Sequence, residues 1–346
     1  MSLSATIAPT VDPTPIFEFF RGSYATELLT ASVAHFNIFG RIAQQPMTPA
    51  ELGKALALAE RPTAVLVTAL KALGLLSTDA DGRLHLTDLA REHLLPGGAF
   101  DVGDYIGLAA NSPGVLALVE CLRSNKPASH ESGVAFIYRE GVKSAMENEA
   151  AARHFTLALA GRAKNVAPVL AERVPLAGAG LLVDVGGGTG IYSIAFLQRN
   201  PDLRASVLDR PEVLKVAQEF AETHGVADRL RTQAADMFRD PLPQADVVLL
   251  SNILHDWDIA ECRALIARCA AALRPGGRLL IHDVFLNDAL DGPLPMALYS
   301  AALFTLTEGR LYSAAEYRTW LTEAGLQAGA VVPTLIHCGV LAGRKT

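Results

Sequence analysis

The sequence predicts an α/β protein, with a mainly helical amino-terminal half carrying a winged-helix pattern and a carboxyl half built as a doubly wound parallel sheet. Three observations predict it. From Leu181 onward, short apolar runs alternate with helix-length segments, the mark of parallel strands covered on both faces. A glycine run, Gly186 to Gly190, separates the first such strand from its helix, where a doubly wound sheet binds ligands. Further upstream, two short helices lead into a β-ribbon, which is the winged-helix order.

The elements follow in order. Ile16 to Ala43 shows helical spacing with a break expected near Gly40. Thr48-Pro49-Ala50-Glu51 reads as N-cap, first helical proline and capping-box acid, opening a helix to about Ala59; a second runs from Pro62 to Leu73 and stops at Gly74. Two short strands then flank Asp81-Gly82, with a helix start at Thr87. Gly97 to Ala179 is mostly helical. The strands of the second half are Leu181–Val185, Ser206–Asp209, Asp246–Leu254 and Arg278–Phe285, the last entered through a Pro275-Gly276-Gly277 turn. Helices are expected from Ile191, Pro211, Asp258 (boxed by Glu261) and Ser313, and a buried helix over Pro293–Leu306. At about 150 residues per domain, 346 residues suit two domains; the boundaries read as 1–100, a helical linker and pocket-forming segment 101–179, and 180–346.

Composition narrows the function classes. Thirty basic against 36 acidic residues leave a net charge of −6, unlike a general nucleic-acid or anionic-membrane binder. Apolar residues reach 50% and charged ones only 19%, which suggests extra buried surface such as an oligomer interface. Between Thr48 and Leu95 the five bases, Lys54, Arg61, Lys71, Arg83 and Arg91, face six acids, and the helix Pro62–Leu73 carries Lys71 alone; dimerisation suits this winged helix better than binding DNA. Cys121, Cys262, Cys269 and Cys338 form no C-x-x-C pair, and Cys262 and Cys269 read as core. The first residues lack the basic and apolar regions of a signal peptide. Ala324 to Gly343 has no charge for 20 residues, but its glycines and Pro333 suit two β segments rather than a membrane span. A cytoplasmic location is expected.

The chemistry gathers at the strand ends. Gly186 permits a tight turn, and Gly188 and Gly190 allow close approach of a ligand to the backbone, with Asp184 two residues ahead of the first glycine. A dinucleotide fingerprint would need a small residue where Ile191 stands, so a nucleoside without pyrophosphate fits better. Asp209, ending the second strand, can accept both ribose hydroxyl hydrogens. His255 follows the third strand, where neutral imidazole can take a proton from a hydroxyl. His282 and Asp283 end the next strand; with His255 they have the composition of a two-His, one-carboxylate site, but second-layer support is the simpler reading and no metal is expected. His154 and Arg162, on the helix before the glycine loop, could reach a substrate.

DVGGGTG, VLDRPEV, AADMF, ILHDWD and LRPGGRLLI occur here in the order found in the S-adenosylmethionine-dependent O-methyltransferases of the plant caffeic-acid and bacterial natural-product type, which the chain resembles from the winged helix to near its end. The resemblance implies a helical dimerisation domain, a Rossmann-like cofactor domain, S-adenosylmethionine as cofactor, a homodimer and a small-molecule acceptor. It also implies that Gly186 and Gly188 face the cofactor's methionine part, Asp209 its ribose, and Asp236 and Met237 its adenine. Ser251 stands where the family often has lysine. His255, in the HDW context with Asp256, matches the family's base, and Asp283 matches the first of two carboxylates that orient it. The second falls at Leu311, and Tyr312 beside it could supply a hydroxyl instead. Met296, Tyr299 and Phe304 fall in a region that walls the family's acceptor pocket. C-methylation, a non-methylating use of the cofactor, and a ligand-sensing DNA-binding regulator are the alternative readings.

Overall fold

The computed structural model describes residues 2–127 and 148–346. The chain forms two compact units, one of Glu18–Glu131 with Leu286–Ser313, the other of Met1–Phe17, Ser132–Phe285 and Ala314–Thr346. The boundaries expected at 100 and 179 assumed domains in chain order; the segment Leu286–Ser313 instead groups with the amino-terminal helices.

The first unit is helical around a small ribbon. Thr48 caps the helix Pro49–Leu56 as expected: the Glu51 amide donates to its hydroxyl at 3.2 Å, and the Thr48 amide donates to the Glu51 carboxylate at 2.8 Å. The helical break expected near Gly40 lies at Asn37, in the left-handed conformation (φ 44°), and a further one lies at Tyr24 (φ 76°). Gly40 sits inside the helix Ile38–Gln44, where a Cβ would come 2.5 Å from the Asn37 side-chain oxygen. β1 (Leu76–Thr78) and β2 (Leu84–Leu86) form the antiparallel ribbon, and Thr87 caps the helix Asp88–His93. Leu28, Phe39, Leu52, Leu66, Leu84 and Phe304 lie in one apolar core with the helix Glu60–Ala72 at its centre.

That helix is unsuited to a phosphate backbone. Arg61 is buried over the Phe304 ring and spends its guanidinium on the carbonyls of Asn125, Thr307 and Gly309 and the side chain of Asn125. Lys71 donates to the Ala289 carbonyl. Neither cation is presented to a groove. The helix Leu294–Leu306 is apolar as expected, with Met296 and Phe304 buried and the Arg21 guanidinium 4.3 Å above the Tyr299 ring.

The second unit is a seven-stranded sheet. Its strands are β3 (Leu181–Val185), β4 (Arg204–Asp209), β5 (Leu230–Ala234), β6 (Ala245–Ser251), β7 (Leu273–Val284), β8 (Leu326–Pro333) and β9 (Cys338–Lys345), in the spatial order β5-β4-β3-β6-β7-β9-β8. β3 to β7 are parallel, and β9 pairs antiparallel with both β7 and β8. The order reverses between β3 and β6, the place where a doubly wound sheet opens a crevice beyond its strand ends. β5 lay outside the sequence expectations. Pro275-Gly276-Gly277 lies within β7 and not ahead of it, where the pairing with β6 shifts register and Gly276 turns at φ 76°. Asp258 caps its helix through the Ile259 amide. Cys262 and Cys269 are buried. The expected helical stretch 97–179 is borne by Gly103–Gly107, Pro113–Ser124 and Glu149–Arg173, its middle part lying outside the described residues. Among the described residues, no helix is long and apolar enough to cross a membrane.

Candidate active site

The turn after β3 requires its glycines. Gly186 has φ 69°, and a Cβ there would sit 2.5 Å from Ile253 Cδ1. Gly188 has φ 57°, with open space where a Cβ would be, and its amide donates to Asp209 Oδ2 at 2.9 Å. The Arg210 amide donates to Asp209 Oδ1 at 2.8 Å, so two backbone groups aim the carboxylate that ends β4. Burial nevertheless pushes the Asp209 pKa upward against those bonds.

Asp209 lies in the wall of a cavity of about 600 Å³, within the size range of a nucleoside-sized ligand site. Gly186, Asp236 and Met237 line it too, together with Arg210, Phe238 and Trp257. Phe238 and Trp257 meet edge to face at 4.7 Å, an apolar wall suited to a flat base. The loop after β5 is held by its own polar groups. Asp236 Oδ1 accepts from the Phe238 amide at 2.8 Å, Asp240 Oδ2 accepts from the Asp236 amide at 2.8 Å, and Arg268 donates to the Met237 and Asp240 carbonyls. Phe238 belongs to the AADMF motif but was not singled out from sequence, because nothing there shows that it turns inward.

Asp184 behaves differently from the other predicted site residues. It is fully buried beneath the glycine turn, where Ser193 donates to Oδ2 at 2.7 Å and Oδ1 has no hydrogen-bond partner. Burial pushes its pKa up to about 7. A Cβ on Gly187 would lie 2.7 Å from its carboxyl carbon, so Asp184 shapes the loop from below.

The acid–base pair is assembled from the ends of two neighbouring strands. β6 gives way to a single 3-10 turn, Leu254–Asp256, which places His255 in the interior. Asp283, next to last in β7, is also buried. His255 Nδ1 donates to Asp283 Oδ1 at 2.6 Å, and the Val284 amide donates to the same oxygen at 2.8 Å. Burial alone would lower the imidazole pKa, but the Asp283 and Asp256 carboxylates outweigh it and raise it above its ordinary value. For Asp283, burial is likewise outweighed by His255, and its pKa is lowered. Asp256 Oδ1 stands 3.7 Å from the opposite nitrogen, Nε2, so it adds charge beside the atom left to accept a proton.

No local pattern in the sequence marks Tyr317 as a site residue. Its buried hydroxyl donates to Asp283 Oδ2 at 3.4 Å, and its ring is held edge-on by Phe285 and Trp320. Tyr312, the expected orienting hydroxyl, is buried in the helical unit with the Arg310 guanidinium 4.4 Å over its ring; Leu311 is buried beside it. The charge of Arg162, on the helix Glu149–Arg173, opposes protonation of both His255 and His282, whereas His154 on that helix is exposed.

Ser251 and His282 face each other across β6 and β7 and share a hydrogen bond, Ser251 Oγ to His282 Nδ1 at 2.8 Å. His282 Nε2 reaches Thr334 Oγ1 at 3.2 Å, so both of its nitrogens are engaged away from His255. Burial pushes its pKa down to about 3 and keeps it neutral. Among the described residues, no cluster of three or more His, Cys, Asp or Glu could hold a metal ion.

The geometry fits a nucleoside cofactor with an amino-acid tail. A carboxylate aimed by two amides faces an aromatic-walled cavity, and the unpartnered Asp184 Oδ1 lies under the glycine turn.

Comparison with known proteins agrees with this geometry. The O-methyltransferase domain family matches residues 115–327. The chain is 35% identical over 317 residues to the 3-hydroxy-5-methyl-1-naphthoate 3-O-methyltransferase of Streptomyces sahachiroi, covering 90% of this chain and 89% of the relative. It is similar to the crystal structure of an O-methyltransferase family 2 protein from Planctomyces limnophilus in complex with apigenin, with TM-score 0.90, 48% identity and coverage of 100% and 99%. An O-methyltransferase from neocarzinostatin biosynthesis, solved with S-adenosylmethionine and 2-hydroxy-5-methyl naphthoic acid, matches at TM-score 0.58 and 25% identity over 94% and 97% of the two chains.

Proposed function

The chain belongs to the O-methyltransferase family, and from that premise we propose that it methylates a hydroxyl of a small aromatic or polyketide-like acceptor with His255 as general base. It is an S-adenosylmethionine-dependent O-methyltransferase. The observation that carries the assignment of the base is the buried His255–Asp283 pair, 2.6 Å apart, at the strand-end edge that also bears the nucleoside cavity.

When bound, the cofactor supplies an electrophilic methyl group on a positively charged sulfur. Asp209 would accept the ribose hydroxyl hydrogens, Gly186 and Gly188 would let the cofactor approach the turn, and Met237, Phe238 and Trp257 would line the space for the base. Asp283 fixes the His255 tautomer by accepting from Nδ1, which leaves the Nε2 lone pair to take the acceptor's hydroxyl proton. Asp256, beside Nε2, stabilises the imidazolium so formed. Holding the acceptor oxygen near the methyl group is then the main contribution to rate, since a displacement of this kind depends on alignment.

The helical unit is the dimerisation domain in this reading, and the carboxyl unit the cofactor domain. Phe19, Phe20, Tyr105 and Leu108 of the helical unit are each at least 78% exposed, which supports burial against a second copy. No nucleic acid or membrane is a partner, and the protein works in the cytoplasm.

Calorimetric titration with S-adenosylhomocysteine, with Asp209→Ala beside the wild type, tests the cofactor site. Loss of two hydrogen bonds to a charged group predicts affinity about 100-fold weaker. His255→Ala should bind S-adenosylhomocysteine normally and lose about 10²- to 10⁴-fold in turnover on a hydroxylated aromatic acceptor. A product methylated on carbon, or full turnover by His255→Ala, rejects the assignment of the base.

A further inference from the structure

A base that takes one proton per turnover must also lose one. With the acceptor's hydroxyl proton on Nε2, His255 is an imidazolium and cannot act again until that proton reaches water. Its side chain is only 5% exposed, and its Nδ1 proton is committed to Asp283 at 2.6 Å. A base buried to this degree needs a route for its proton.

Asp256 stands where such a route would begin. Its Oδ1 is 3.7 Å from Nε2, a gap that a small rotation of the carboxylate closes. The same side chain is 33% exposed, against 1% for Asp283. Asp283 is moreover tied on both oxygens, by the Val284 amide and the Tyr317 hydroxyl, so of the two carboxylates beside the imidazole it is Asp256 that meets solvent.

The proton affinities of the two neighbours are close. Burial pushes the Asp256 pKa up to about 6, opposed by the charges of His255 and Arg162 and reinforced by Asp283. Against burial, the charges of Asp283 and Asp256 raise the His255 pKa above its usual value, with Arg162 opposing. Groups matched in this way exchange a proton with little change in free energy.

Resting on His255 as the base of the methyltransferase, we infer that Asp256 carries the proton from His255 Nε2 to solvent, as an acid–base group in its own right and not only a charge beside the ring. The Nε2–H bond breaks as an O–H bond forms on the carboxylate. The neutral carboxyl then gives the proton to water, and both residues return to their starting charge.

The test reads, by NMR, the exchange of the His255 Nε2 proton with water in full-length protein with isotope-labelled histidines. The protein is bound to S-adenosylhomocysteine and held below the His255 midpoint, and the signal is assigned by its loss in His255→Ala. Asp256→Asn should slow the exchange by about 10²-fold, and Asp256→Glu should restore it to within about tenfold of wild type. A role through charge alone predicts the opposite sign, because removing the carboxylate lowers the His255 pKa and speeds proton loss. Unchanged or faster exchange in Asp256→Asn therefore overturns the inference, as does equal slowing in Asp256→Glu. Calorimetry with S-adenosylhomocysteine keeps the two readings apart. Both variants should bind it within about threefold of wild type, whereas wild-type protein that does not bind it removes the methyltransferase reading itself.

Discussion

Nδ1 of His255 lies 2.6 Å from Oδ1 of Asp283, with both side chains buried and the second carboxylate oxygen held by Tyr317. The carboxylate can only accept, so Nδ1 carries the proton and Nε2, on the other side of the ring, stands 3.7 Å from Asp256 Oδ1. One short bond thus sets tautomer, ring orientation and basicity together.

The pair predicts a displaced pH profile. Because its carboxylates raise the His255 pKa above the ordinary 6.5, His255 is protonated and inactive as a base at low pH. Values of kcat/KM should therefore rise with pH through a midpoint above 6.5. Asp283→Asn removes the charge, so the midpoint should move down, while kcat falls by about 10²-fold. An unmoved midpoint in that variant would separate His255 from the observed titration.

Tyr317 acts through Asp283 as a positioning residue. Tyr317→Phe keeps the ring between Phe285 and Trp320 and removes the donor to Oδ2. The carboxylate then keeps more of its charge for the imidazolium. The acidic limb of the profile should shift to higher pH, with kcat down a fewfold and affinity for S-adenosylhomocysteine unchanged. Equal weakening of cofactor binding would point to a general packing defect instead.

Asp184 predicts a stability effect of opposite sign to the usual carboxylate. Its pKa is about 7 in the folded protein and about 3.9 in an unfolded chain, so the folded state binds the extra proton between those values. Stability from this group is present below about pH 4 and is lost as pH rises through 7. Asp184→Asn keeps an acceptor for Ser193 and has no charge to desolvate. Its stability relative to wild type should therefore be greater at pH 8 than at pH 4, by on the order of 2–4 kcal/mol in denaturant titrations. A pH-independent difference would refute the burial argument.

The capping box of the helical unit is open to a simple test. Thr48→Ala deprives the Glu51 amide of its acceptor and releases the reciprocal bond. A loss of about 1 kcal/mol is expected in chemical unfolding of this unit, with cofactor affinity retained. No measurable loss would mean that water or another group replaces the hydroxyl.

What could be read in advance depended on whether the signal was local. Thr48 and Glu51, the glycine turn, and Asp209 at a strand end are local patterns of turn, cap and register, and each appears where the spacing puts it. β5 escaped notice because Leu230–Ala234 is an edge strand, mostly polar, with one buried residue and hence no apolar run. Pro275-Gly276-Gly277 predicts a turn ahead of the strand, because a bulge inside a ladder has the composition of a turn.

By itself, the sequence determined the α/β order of elements, the nucleoside-type glycine loop and the family to which the chain belongs, since these rest on neighbours a few residues apart. Tertiary structure alone decided that Leu286–Ser313 joins the helical unit, that the distant Tyr317 donates to Asp283 Oδ2, and that Asp184 lies beneath the loop. The reason is physical. Those three outcomes depend on which side chains meet across strands and helices far apart in the chain, and on how completely water is excluded where they meet; neither is written in local spacing.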